Sequence, residues 1–410
     1  MSTAPKQIVT LGASLTANKG AAAMLTAIYQ QLPLYVGAIE LSVLSTDPSG
    51  DRDRAGDFEN TEILDLTPLR LALIEFPLAV LAAGLRIMRV PTRFRVFTKV
   101  GRRLVDADLA VDLAGISFVD SRGIANLIYN TLMSSLPLLH RTPTVKAAQA
   151  IGPCRKPLTR LLASLVLKRM RWIGARGNVT LLHLQEVGLN NSEQVADLAF
   201  SMTENPSLSA EVNDLLPDGD FILVMPSIVV EQMYGEHPSR YLDAMARMIS
   251  ELANSTNTPV VLVAHSYEPS LRRHRMNDRP TLLDLSRRLS SSELVTVIDN
   301  ELSAGQLRSL IALSDFLVTS RFHAMISALA TATPVFVIGW SHKYREVLGD
   351  FGLGRLGVGH EQLDHVSDLV TMITAEFHAR SATSATIAEA LPGVRSRSEL
   401  NFVRIGENMG

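Results

Sequence analysis

The sequence predicts an α/β protein built from two successive parallel-sheet domains that face a cleft. Three observations predict it. Short β-branched runs alternate with longer helical patterns from one end of the chain to the other, as stacked βαβ units require. The 410 residues are too many for one ordinary core. A stretch rich in Pro, Ser, Asn and Asp, residues 200–220, interrupts the alternation, which then restarts. We therefore expect an N-terminal domain over residues 1–214, a second over 215–380, and a tail, 381–410, of weaker periodicity that packs back on the N-terminal domain.

The first domain opens with strand 7–14 (QIVTLGAS) and an Ala- and Leu-rich helix, 18–32; a second strand covers 41–46. Residues 108–118 (DLAVDLAGISF) read as a buried strand and 123–136 as the helix after it. Strand 144–153 ends in a Gly-Pro turn, helix 158–170 follows, and then a short strand, 172–177 (WIGARG). The next helix starts at Asn178, a residue suited to capping. In the second domain the strands are 221–229, 259–266, 294–300, 316–320 and 334–340, with helices 241–255, 281–291, 305–314, 322–331 and 343–352. Open parallel sheets place their working loops at the carboxyl ends of strands. The loops after 7–14, 108–118, 172–177, 259–266, 316–320 and 334–340 are therefore where chemistry belongs.

Bulk composition excludes several classes. A net charge of −2 leaves no global basic field for nucleic acid, so any anion site must be local. The single cysteine, Cys154, rules out an internal disulfide framework and a multi-thiolate metal site, which fits a reducing compartment; no metal or cofactor is expected. The N-terminus reads as a first strand and not as a secretion signal, and a cytoplasmic protein is expected. One segment stands apart. Residues 71–85, LALIEFPLAVLAAGL, are very apolar yet fall short of the roughly 20 residues a spanning helix needs. Arg86, Arg89, Arg93, Arg95, Lys99, Arg102 and Arg103 follow without an acidic residue among them. Two readings fit: a core helix followed by a solvated basic face, or an apolar and cationic patch seated on anionic head groups at the inner face of a membrane.

Candidate site residues lie at strand ends. In the first loop, Asn18, Lys19 and Gly20 open a helix whose N–H groups favour an anion, and Lys19 adds a point charge; the same residues also make a plain turn capped by Asn18. The spacing is neither that of a dinucleotide fingerprint nor that of a phosphate loop. Arg176 follows strand 172–177 at its carboxyl end, as a solvated surface arginine or a ligand contact. The richest stretch is 320–353. Arg321 lies at the end of one strand, and His323 lies in the first turn of the next helix. Ser341, His342 and Lys343 open the helix after the following strand. If those two strands are adjacent and parallel, Arg321, His323 and Lys343 share one rim. Arg321 can fork onto a carboxylate or phosphate. A bound anion would favour the cationic form of His323, which the helix dipole disfavours.

The stretch TSRFHAMISALATATPVFVIGWSHKYREVLGDFGL resembles the C-terminal signature of the polysaccharide pyruvyl transferase family: Arg-x-His entering a small-residue helix, then a strand and a Ser/Tyr-x-Lys turn. The loop at Asn18 and Gly20, DLAGISFVDSRG, QAIGP and GARGNVTLLHLQEVGL agree more loosely. Ala21 and Ala114 depart from the family pattern, which often has Asp and Gly there. The resemblance implies two Rossmann-like domains similar to the glycosyltransferase B-type fold, the first on the acceptor side and the second on the donor side. It implies transfer of pyruvate from phosphoenolpyruvate to a sugar or lipid-linked glycan as a ketal. His323 would be the general acid, with Arg176, Arg321 and Lys343 holding phosphoenolpyruvate and Asn18, Lys19, Gly20 and Ser341 lining the site. Two alternatives remain open from the residues. One is a nucleotide-sugar glycosyltransferase, which would want a ribose-binding carboxylate that Glu346 is poorly placed to supply. The other is a binding protein that keeps the fold without the chemistry.

Overall fold

Every strand pairing among the described residues is parallel. The structure, a computed structural model, describes residues 4–16, 18–94, 96–203, 207–339 and 343–409. The chain divides into two compact units. One holds Met1–Thr16, Ala21–Met202 and Arg395–Gly410; the other holds Ala17–Gly20 and Thr203–Val394. The chain therefore passes between them at Met202/Thr203, earlier than the 214/215 step its composition suggests. The short helix Ala210–Asn213, with Leu208 and Val212 buried, already belongs to the second unit.

The first unit contains β1 (Lys6–Leu11), β2 (Ile39–Ser45), β3 (Thr61–Asp65), β4 (Leu109–Asp112), β5 (Ile116–Ser117), β6 (Thr144–Ile151), β7 (Trp172–Arg176) and β8 (Ser192–Val195). Its sheet runs β3-β2-β1-β4-β6-β7-β8, with β5 pairing off that path with β6. Strand alternation sends Val9 and Leu11 of β1 into a core with Leu44, Leu64, Ala110 and the helix residues Leu104, Met133 and Leu136. The second unit contains β9 (Ile222–Met225), β10 (Val260–Val263), β11 (Val295–Ile298), β12 (Phe316–Thr319), β13 (Val335–Gly339) and β14 (Gly357–Gly359), in the order β11-β10-β9-β12-β13-β14. Strands β9, β10, β12 and β13 are buried at every position, which is why they read as apolar runs, broken only by Thr319 at the end of β12.

The strands that pattern reading did not anticipate are short and peripheral. Edge strands β3 (TEILD) and β8 (SEQV) are half polar because one flank needs no partner, and β14 is a three-residue Gly-Val-Gly edge. The C-terminal region is regular where its pattern looked weak: one helix runs Arg380–Glu407. Ile387, Leu391, Val394, Phe402 and Ile405 bury one face of it at helical spacing. The segment from Arg395 onward groups with the first unit. There Ser398 Oγ donates to the Asp197 carbonyl at 2.8 Å and Asn401 donates to the Ala196 carbonyl at 3.1 Å.

Candidate active site

The order of the second sheet reverses between β9 and β12: the chain goes from β9 to β10 and β11 on one flank, then returns to β12, β13 and β14 on the other. Ligands of open α/β sheets bind outside the carboxyl ends at such a point. Several buried polar residues of this unit lie there. Arg321 follows β12 and caps the helix Phe322–Ala330 with extended backbone, which puts His323 in the first helical turn. Because β12 pairs parallel with β13, the helix that starts at Lys343 opens beside it. Lys343 Nζ lies 4.6 Å from the Phe322 ring centroid, and Tyr344 donates to the Ser320 carbonyl at 2.9 Å. Arg321, His323 and Lys343 thus share one rim. Ser341 and His342 lie outside the described residues.

The loop after β1 joins this cluster. Residues 17–20 group with the second unit. Asn18 Oδ1 accepts from the Gly20 N–H at 3.2 Å, so the capping turn forms. Lys19 is buried and its Nζ meets Glu301 at 2.7 Å. Gly20 sits against the imidazole of His323: a Cβ built on it would lie 2.0 Å from Nδ1. Any side chain there would displace the ring, so the glycine is required by close approach and not by a positive φ.

Three residues that the motif reading did not single out complete the site. His265 and Ser266 follow β10 and are 5% and 1% exposed. His265 Nδ1, Ser266 Oγ and Arg321 Nε are buried without a hydrogen-bond partner. Burial holds the His265 imidazole well below its ordinary pKa, and the neighbouring Arg321, His323 and Lys19 press the same way, so the ring is neutral. The third residue is Asp278, which is fully buried. Its Oδ1 accepts from the Ile228 N–H at 2.9 Å and from Arg321 Nη2, and its Oδ2 accepts from the Ser266 N–H at 2.9 Å. One carboxylate therefore aims the arginine and fixes the loop that carries His265. A signal for His265 was present in the sequence: it closes the apolar run 260–264 at the carboxyl end of the expected strand 259–266, much as Arg321 follows the strand 316–320. Asp278 gave none, because its partners are 50, 43 and 12 residues away.

Arg176 belongs to the first unit. It ends β7, is buried, and pairs through Nη1 with Asp197 at 2.6 Å while Nη2 donates to the Gly115 carbonyl at 3.1 Å. Ser398 holds the Asp197 backbone in turn, so the C-terminal helix positions this arginine at one remove. The two departures from the family pattern are tightly packed. Ala21 is buried in the first helix, and Ala114 abuts Gly12, whose φ of +82° and 2.7 Å virtual Cβ distance to the Ala114 nitrogen admit no side chain.

This arrangement can hold a small anion with more than one charged end. It offers a guanidinium, an ammonium rim, an imidazole in a helix turn and buried neutral donors. Among the described residues no group of three or more His, Cys, Asp or Glu is placed to bind a metal.

Two Rossmann-like units in one chain resemble glycosyltransferase B-type enzymes, and solved structures agree. The UDP-GlcNAc 2-epimerase of Neisseria meningitidis superposes with a TM-score of 0.62 at 12% identity, over 96% of this chain and 97% of that one. The α,α-trehalose 6-phosphate synthase of Burkholderia multivorans gives 0.54 at 11% identity, over 98% of each. At such identities the likeness is one of fold. Sequence narrows it. The polysaccharide pyruvyl transferase model matches residues 18–342, and the chain belongs to that family of transferases. The amylovoran biosynthesis protein AmsJ of Erwinia amylovora is 22% identical over 276 residues, 65% of this chain; the match spans 64%, just under two thirds, of that relative's length.

Proposed function

We propose that this chain transfers pyruvate from phosphoenolpyruvate to two hydroxyls of a sugar or lipid-linked glycan as a ketal, in cell-surface glycan or glycolipid biosynthesis. The observation that carries the reading is the gathering of Lys19, His265, Arg321 and His323 around buried, unpartnered donor atoms at the end of β12. Phosphoenolpyruvate is small, with a carboxylate at one end and a phosphate at the other, and it suits a site of converging cations. Arg321, aimed by Asp278, would fork onto one end. Lys343 would neutralise the phosphate, and Arg176 is assigned to the donor from its place in the family pattern. His323 would give a proton to the methylene carbon while a sugar hydroxyl attacks the neighbouring carbon and passes its own proton to the freed imidazole. Phosphate then leaves with its bridging oxygen and takes the proton of a second hydroxyl as that oxygen closes the ring. Neutral His265 and Ser266 would supply hydrogen bonds to the same anion without adding charge. A donor made inside the cell places the reaction in the cytoplasm.

The test is phosphate release from phosphoenolpyruvate over a panel of acceptor glycans, with nucleotide sugars as a parallel donor set. Release that needs both phosphoenolpyruvate and one acceptor supports the proposal. Turnover of a nucleotide sugar with phosphoenolpyruvate inert would replace it with glycosyl transfer. Stabilisation by phosphoenolpyruvate without turnover on any acceptor would replace it with a binding role.

A further inference from the structure

The apolar segment of the first unit is not a core helix. Pro68 to Ile87 form one continuous helical stretch of 20 residues, longer than the apolar run suggests, and only 22% of its most apolar window is buried. A π-helical turn, Leu71–Glu75, precedes Pro77, so the missing proline N–H falls where the regular ladder is already interrupted. The buried side of the stretch, Leu71 and Ala79, joins the core beneath the sheet. The other side is open: Leu73 is 72% and Ile87 84% exposed, with Leu81 between them.

The open face continues across neighbouring helices. The helix Phe76–Ile87 packs on Gly123–His140, and that helix packs on Pro157–Leu167. Each buries its inner side in the sheet core, through Ala79, through Met133 and Leu136, and through Ala163 and Val166. Each leaves leucine or isoleucine on the outer side, Ile124 and Ile128 in the second and Leu161 and Leu165 in the third. Three adjacent apolar stripes on one helix layer are more than the scattered exposed residues of an ordinary surface.

Charge identifies what covers this face. Between Leu66 and Val105 the chain carries eight basic residues against one acidic, Glu75. Glu75 is turned inward, 2% exposed, and bound by Arg70 Nε at 3.0 Å and Thr98 Oγ1 at 2.6 Å. Lys99 and Arg103 are taken up by Glu62. Arg89, Arg93 and Arg102 remain exposed. An apolar face whose first helix is followed by exposed arginines, with the one carboxylate between Leu66 and Val105 turned to the interior, matches the acyl boundary and head groups of an anionic bilayer. We infer that the first unit seats this helix layer in the surface of an anionic membrane, lying in the plane and not crossing it. Crossing would strip the helix from the core that Leu71 and Ala79 make and drag the Glu75 pair into hydrocarbon.

Co-sedimentation of the full chain with vesicles tests this without any substrate, and so apart from the donor chemistry. The chain should bind vesicles of phosphatidylcholine mixed with phosphatidylglycerol, and bind phosphatidylcholine alone at least tenfold more weakly. Leu73→Ser/Leu81→Ser should reduce binding tenfold or more. Arg93→Ala/Arg102→Ala should reduce it roughly fivefold per arginine, an effect that disappears at high salt. These side chains are exposed, so melting temperatures should not change. Absence of binding to the mixed vesicles, or binding that the leucine pair does not affect, would overturn the inference. A lipid-free dimer that Leu73→Ser/Leu81→Ser converts to monomer would assign the face to a second copy of the chain instead.

Discussion

Both units bury an ion pair near the carboxyl end of a parallel strand, and the two pairs differ in what they leave over. In the first unit Lys146 of β6 meets Asp112 of β4, and neither side chain is exposed. Ser134 Oγ and the Ala114 N–H also donate to Asp112, and Gln149 bridges Asp112 and Lys146, so each carboxylate oxygen has partners. In the second unit Asp278 holds Arg321, and around them His265 Nδ1, Ser266 Oγ and Arg321 Nε are buried with none. Burial of charge is common to both. The first network is closed, whereas the second leaves donors unmet at the sheet's switch point, where the proposed donor substrate would sit.

The comparison can be broken by substitution. His323→Ala should cost about 10²–10⁴ in turnover, since it removes the proposed proton donor, and should change stability by less than Lys146→Met does, since the ring is only half-buried. Steady-state phosphate release with parallel melting curves measures both. Lys146→Met should do the reverse. It strands Asp112 and should cost about 3–5 kcal/mol in denaturant unfolding, with the activity of the folded fraction retained. If Lys146→Met abolishes activity in stable protein, the two networks are not different in kind.

Subtler changes sharpen the contrast. Gly20→Ala forces the His323 ring aside and should lower turnover by about 100-fold with little change in melting, because a displacement near an ångström is enough to misplace a catalytic group. Lys19→Ala should cost less than His323→Ala; equal losses would remove His323 from its special role. The smallest effect is on acid stability. The His265 pKa is lowered from 6.5 in the fold, so as pH falls the unfolded chain takes the proton first. Stability is full above about pH 6.5 and declines by about 1.4 kcal/mol per pH unit below it. His265→Gln should flatten that slope, read from urea midpoints between about pH 6.5 and 5. An unchanged slope would mean that His265 is not held neutral.

Much was legible in residue order. Alternating apolar runs and helical patterns marked the parallel sheets, and the rim of Arg321, His323 and Lys343 followed once β12 and β13 paired. Edge strands β3, β8 and β14 were missed because a strand with one open flank carries a weak pattern. His265 had a readable position but no accompanying motif.

Local periodicity is a property of neighbouring residues, so the chain alone specified its element types, its two parallel sheets and the polar residues that stand at their strand ends. Only the folded molecule could decide that Asp278 aims Arg321, that Gly20 touches His323, that Glu75 turns inward while Leu73 and Ile87 turn out, and that Ser398 steadies the loop beside Arg176. Those contacts join residues tens to hundreds of positions apart. Whether a buried charge finds all its partners, or keeps a donor unmet, is settled by the packing of distant segments.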